Sequence, residues 1–159
     1  NANRKTVFES LPSVSGKWIN IGRLDLDTSG LLLFTNNGDI ANKMMHPSSN
    51  ISRTYEVLLK GSFTDIKKNK CLNGLDIGMS ETGKFDSVEK CNTTANKYII
   101  TLKTGKNREV RRVFLTVNCT VINLKRIQYD NIKLDNLIVG EHRYLNEEEI
   151  KSLSMYLEK

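Results

Sequence analysis

Nine residues, Gly22-Arg23-Leu24-Asp25-Leu26-Asp27-Thr28-Ser29-Gly30, place two carboxylates, an arginine and two hydroxyls between two apolar runs. A carboxylate there can act as a nucleophile or a base. Connections between strands are where function concentrates. Local side-chain-to-backbone hydrogen bonds of a polar turn account for Asp27, Thr28 and Ser29. They account less well for Arg23 and Asp25. In a strand, these two stand at i and i+2 on one face while Leu24 turns to the core.

A second stretch, Gly105-Lys106-Asn107-Arg108-Glu109-Val110-Arg111-Arg112, runs from a glycine turn into a helix start, a place that attracts anions. Arg108, Arg111 and Arg112 share a face at i, i+3 and i+4. Val110, Val113 and Phe114 point to the core. Arg111, beside Val110, needs a carboxylate partner if it is drawn inward. Asp25 is the partner to expect.

The charge pattern supports a polyanion as partner. The formal net charge is +6, and all of it lies between Lys103 and Arg126, where seven cations face the single Glu109. The rest of the chain is balanced. Such a segment is the footprint of a phosphate-binding face. Other chemistries have little material. Cys71, Cys91 and Cys119 are odd in number and widely spaced, with no CxxC pair, and His46 and His142 are the only histidines. Neither a disulfide framework nor a zinc site follows from that set, and reduced thiols fit a reducing compartment. No metal and no cofactor are expected. No run approaches the roughly 20 apolar residues that span a bilayer, and Asn1–Ser10 has no apolar stretch of the signal-peptide kind.

The elements that must position these residues are legible in outline. With 159 residues, 38% hydrophobic and 26% charged, the chain suits one domain with a working core. Thr6–Leu11 reads as a short helix ended by Pro12. Trp18–Leu24 reads as a strand. Leu31–Thr35 reads as a second strand, buried on both faces or paired with the first. Asp39 is placed to cap a helix carrying Ile40, Met44 and Met45, stopped by His46-Pro47. Arg53–Lys60 alternates as a strand, Thr64–Leu72 is helical, and Asn73–Asn92 holds short strands. Tyr98–Leu102 is a strand. Asn107 is placed to cap the helix carrying Val110, Val113, Phe114 and Val117. Thr120–Tyr129 returns to strand. Asn146 and Glu149 form a capping box for a last helix with Ile150, Leu153 and Leu157. The pattern predicts an α+β fold with a large, mostly antiparallel mixed sheet flanked by helices.

Gly22 to Gly30, continued by Leu-Leu-Leu-Phe-Thr-Asn-Asn-Gly, resembles the catalytic motif of RsuA-type rRNA pseudouridine synthases. Arg53-Thr54-Tyr55-Glu56-Val57 resembles the second motif of that family and Gly105–Arg112 the third. Leu124-Lys125-Arg126-Ile127 and Gly140–Leu145 follow in the family's order. Trp18, Gly22–Phe34 and Asn107–Arg112 are most similar to the RluB branch, which modifies large-subunit RNA. The resemblance implies the pseudouridine synthase fold with an RNA-binding cleft and an isomerase acting on ribosomal RNA. It implies Asp25 as the essential aspartate, Tyr55 as the aromatic beside the target base, Arg111 as the partner of Asp25 and Leu124 as an apolar contact beneath the base. Arg23, Thr28, Lys106, Asn107, Arg108, Arg112, Lys125 and Arg126 are the further candidate RNA contacts.

Isomerisation needs a carboxylate and a platform for a base taken out of its stack, which suits this set. The family has Lys where Arg53 stands, commonly Gln where Glu109 stands, and tends to Gly where Asp130 stands. Asp tolerates a left-handed backbone better than most residues. Such synthases carry an S4-like RNA-binding domain ahead of this region, and only five residues precede Thr6. Residues 1–159 are therefore expected to be the catalytic domain alone, monomeric, in the cytoplasm of a bacterium or, less in keeping, in an organelle. A non-catalytic RNA-binding or ribosome-assembly module, and a synthase of the same fold directed at small-subunit rRNA or tRNA, are the other functions open to this sequence.

Overall fold

The computed structural model describes residues 7–158. Among the described residues, ten strands and four α-helices form a mixed fold. β1 (Ile19–Ile21) pairs antiparallel with β3 (Leu33–Thr35). Of the two sequence alternatives for Leu31–Thr35, the structure therefore takes the hairpin partner. β1 is shorter than expected, because the chain leaves the strand at Gly22. Residues 23–28 are a loop, so Arg23 and Asp25 do not project from a strand.

The main sheet runs in the order β10-β9-β4-β8-β7, with β2 added beside β9. Its members are β2 (Ser29–Gly30), β4 (Arg53–Lys60), β7 (Ser87–Lys90), β8 (Lys97–Leu102), β9 (Thr120–Tyr129) and β10 (Ile132–Lys133). Every pairing is antiparallel except β2 with β9. The expected α+β class with a mostly antiparallel mixed sheet is what the chain adopts. β5 (Leu75–Gly78) and β6 (Glu81–Gly83) make a separate hairpin.

Alternation on β4 buries Val57 and Leu59 and leaves Tyr55 half-buried. The β4–β9 register shifts between Thr54 and Tyr55, and such an irregularity re-aims the neighbouring side chain. The parallel contact of β2 with β9 requires glycine. A Cβ on Gly30, whose φ is +108°, meets the Arg126 carbonyl oxygen at 2.2 Å.

Two apolar clusters form the core. One packs α2 (Asp65–Asn73) and α3 (Glu109–Thr116) on the sheet through Val57, Leu59, Phe85, Ile100, Val113 and Phe114. Cys71 and Cys119 belong to it as buried thiols, as their apolar setting leads one to expect. The other joins α1 (Gly38–Met45) and α4 (Glu147–Leu157) to β1, β3, Tyr129 and Ile132. Thr64 caps α2 through the Lys67 amide.

Two caps differ from expectation. Asn37, not Asp39, caps α1, because its side chain accepts from the amides of Asp39 and Ile40 and the helix begins at Gly38, two residues earlier than an Asp39 cap would start it. Before α3, Arg108 in the left-handed conformation occupies the cap position, and Asn107 makes no cap bond. Glu109, buried, instead ties the preceding loop to the helix start: it accepts from the Lys106 amide at 3.0 Å and from the Thr104 hydroxyl. The first described residues, Val7–Ser10, form a 3-10 turn rather than an α-helix, and Thr6 lies outside the described residues.

Asp130 sits at φ 55°, the left-handed conformation that Asp tolerates better than most residues. Its carboxylate accepts from the hydroxyls of Tyr156 (2.9 Å) and Ser152 (3.3 Å) and so docks α4. The capping box of Asn146 and Glu149 is present. Glu149 also pairs with Arg143, 2.8 Å from each of its oxygens.

Those Arg143 bonds hold the Glu149 carboxyl below its usual 4.5. A depressed carboxylate stabilises the fold fully above its ordinary value and loses that contribution as pH falls through the lowered one. Glu149→Gln is therefore expected to cost about 1–2 kcal/mol at neutral pH. It is also expected to flatten the acid limb of the stability profile, both read by urea unfolding across pH.

Candidate RNA-binding active site

A cleft of about 490 Å3 opens between the Gly22–Thr28 loop, the start of α3 and the β4–β9 face. That volume suits a nucleotide-sized ligand. Ten of the twelve residues singled out in the sequence line it: Asp25, Tyr55 and Arg111, with Arg23, Thr28, Lys106, Asn107, Arg108, Leu124 and Arg126. Lys125 lies outside, exposed on β9. Arg112 also lies outside. Its guanidinium donates to the carbonyls of Ile77, Gly78 and Asn107 and pairs with Glu81 at 2.9 Å. It therefore fastens α3 to the β5–β6 hairpin. Its i+4 spacing from Arg108 is real, but the neighbouring hairpin uses up its donors.

The expected Asp25–Arg111 ion pair is not formed. Among the described residues, the cation paired with Asp25 is Arg108, 3.7 Å away. Arg111 instead donates to the Asp27 backbone carbonyl at 2.6 Å, with its Nη2 3.5 Å from the Asp27 carboxylate. The cause lies in the loop. The Thr28 amide donates to the Asp25 carbonyl at 2.9 Å, closing a tight turn that swings Asp27 over α3. Asp27 then receives both ends of the Arg108 guanidinium, at 3.1 and 2.9 Å. These bonds, and after them the charge of Arg111, hold the Asp27 carboxyl below its usual range. Asp27 is thus far more than a turn residue. Two hydrogen-bonding arginines at i and i+3 on the facing helix were the signal for it, and the sequence alone left the facing unknown.

The floor of the cleft is built from β9. Leu124 is buried there. Arg126, 3% exposed, donates from Nε to the Leu31 carbonyl at 2.8 Å, and its guanidinium carbon stands 5.4 Å from the Tyr129 ring centre. Its Nη2 is buried with no hydrogen-bond partner among the described residues. Burial pushes the Arg126 pKa down, and the hydroxyls of Tyr55 and Tyr129 oppose that push. Arg53, Tyr129 and Met45 also line the cleft and were not among the expected contacts. Arg53 donates to the carbonyls of Ile51 and Lys103, and its guanidinium carbon also stands over the Tyr129 ring, at 5.5 Å. The pairing of Arg53 with Tyr129 across β4 and β9 was the missing piece, since it depends on register.

The family model described as RNA pseudouridylate synthase matches residues 4–116. The chain belongs to that family. Among its relatives are the proteins named ribosomal large subunit pseudouridine synthase B of Vibrio vulnificus, 43% identical over 83% of this chain, and of Pseudomonas aeruginosa, 38% identical over 95%. The protein of the same name from Buchnera aphidicola is 40% identical over 95% of this chain. These alignments span 42%, 40% and 62% of those proteins' lengths. A solved pseudouridylate synthase superposes with a TM-score of 0.84 at 27% identity, covering 93% of this chain and 65% of that one. An H/ACA RNP bound to a substrate RNA containing 2′-deoxyuridine shares the fold, with a TM-score of 0.55 at 16% identity over 84% of this chain and 43% of that one.

Arg112→Ala is expected to destabilise the protein by about 1–3 kcal/mol, because it removes the four hydrogen bonds to the Ile77, Gly78 and Asn107 carbonyls and to Glu81. RNA affinity of the folded fraction is expected to stay nearly unchanged. Thermal unfolding and RNA titration below the melting range check both.

Proposed function

We propose that the protein isomerises a uridine to pseudouridine in ribosomal RNA, in the large subunit, with Asp25 as the reacting carboxylate. The observation that carries this reading is the placement of Asp25 in the same cleft as Tyr55, Leu124, the cap residue Arg108 and Arg111 of α3. The reaction breaks the N1–C1′ bond, turns the base and forms a C5–C1′ bond. The C5 hydrogen leaves as a proton and N1 gains one, so no electrons are exchanged. A carboxylate adding to C1′ of the sugar or to C6 of the base lets one hard step become two easier ones.

Such chemistry needs the nucleotide out of its stack. Tyr55 and Leu124 supply an aromatic wall and an apolar floor for the flipped base. Arg108 places its positive charge 3.7 Å from Asp25. Arg111 is the brace that holds the loop through the Asp27 carbonyl.

Phosphates are met at the rim. Arg23 is exposed there and makes no ion pair among the described residues. Lys106, Asn107 and Thr28 sit between rim and floor. Contacts of this kind position RNA and do not read its sequence. The protein is read as a single catalytic domain, a monomer acting in the bacterial cytoplasm.

Asp25→Asn is expected to abolish release of tritium from 5-tritiated uridine in rRNA while RNA binding survives. A rate within about tenfold of wild type overturns the assignment. Replacing Arg23 by Ala is expected to weaken binding to all RNAs alike. It should also reduce the slope of log affinity against log salt by roughly one for each phosphate no longer neutralised. Titrations of an rRNA fragment and an unrelated RNA at two salt concentrations check this.

A further inference from the structure

Two carboxylates, Asp25 and Asp27, compete for one guanidinium. Arg108 gives Asp27 two hydrogen bonds, at 3.1 and 2.9 Å, and approaches Asp25 only to 3.7 Å. The carboxylates are two residues apart on a closed turn, so a small rotation of the half-exposed Arg108 carries it from one to the other. Arg111 has no such freedom, because the Asp27 backbone carbonyl holds it whatever side chain stands at 27.

We infer that Asp27 is a positioning residue that retains Arg108 and so keeps this cation from closing in a two-point pair on Asp25, leaving the Asp25 carboxylate open to the substrate. The inference rests on the functional reading of Asp25 given above and adds a role for its neighbour. A carboxylate bound at both oxygens by a guanidinium is a poor nucleophile, since its lone pairs are engaged. A guanidinium has five donors, so Arg108 can stay on Asp27 and still meet an RNA phosphate.

The consequence is a divergence of binding and chemistry. Asp27→Asn removes one negative charge from a cationic cleft, so RNA affinity and its salt dependence rise. The same substitution releases Arg108 onto Asp25, so the chemical step slows. A loop that merely lost its shape would bind less well and react more slowly together.

The experiment is a single-turnover assay of tritium release with parallel RNA titration, on wild type, Asp27→Asn, Arg108→Gln and the double variant. The expected result for Asp27→Asn is RNA bound at least as tightly as by wild type and a chemical rate reduced tenfold or more. In the Arg108→Gln background, Asp27→Asn is expected to change the chemical rate less than threefold, because no cation is left to close on Asp25. A rate for Asp27→Asn within threefold of wild type overturns the inference. So does an equal loss with and without Arg108, or a fall in affinity alongside the rate. These outcomes leave the functional reading standing, provided wild type is active and Asp25→Asn is not. A wild-type chain that isomerises no rRNA overturns that reading and this inference with it.

Discussion

Ser29 and Gly30 lie parallel to Lys125 and Arg126, and Leu31 and Arg126 exchange two further bonds. The Leu31 amide donates to the Arg126 carbonyl, and the Arg126 guanidinium donates to the Leu31 carbonyl, each at 2.8 Å. This short seam joins the N-terminal hairpin to the long sheet. It fixes one end of the Asp25 loop against β9, directly across from α3. Without it, nothing in the backbone ladder holds Asp25 near Leu124 or Tyr55. The approach is so close that only glycine fits at position 30, and the second glycine of the Gly22–Gly30 motif is therefore a packing requirement of the site.

The elements were legible where periodicity or capping chemistry is local. β4 shows its alternation, α3 its apolar stripe, and Asn146 with Glu149 its reciprocal cap. Most of the cleft was legible for a different reason: its residues sit in three motifs that resemble a family. What stayed hidden was set by tertiary neighbours. Arg112 looks like a third rim cation until the β5–β6 hairpin takes its donors. Asp27 looks like a turn residue until the turn brings it over Arg108. The choice of Asn37 over Asp39 as cap, and the left-handed Arg108 over Asn107, are shifts of two residues and one, of the kind that pattern alone rarely resolves.

The basic segment also divides in a way its charge count conceals. Arg112 is spent on the hairpin and Arg126 is buried, whereas Lys106, Arg108 and Arg111 line the cleft. Asp27 offsets part of the charge of the last two. The cleft therefore presents a more moderate field than seven cations suggest, with its open charge at the rim.

The enclosed Arg126 gives that field a second component. Its charge is held between Tyr129 and the Leu31 carbonyl, with no carboxylate within 4 Å among the described residues. Mobile ions screen the rim but reach an enclosed charge far less. Raising the ionic strength thus weakens the attraction of the rim for any polyanion, while the pull on an electron-rich group lodged at the bottom persists. Attraction from a distance and retention at the bottom consequently answer to different surroundings, the first to the salt of the medium and the second to the dielectric of the protein itself.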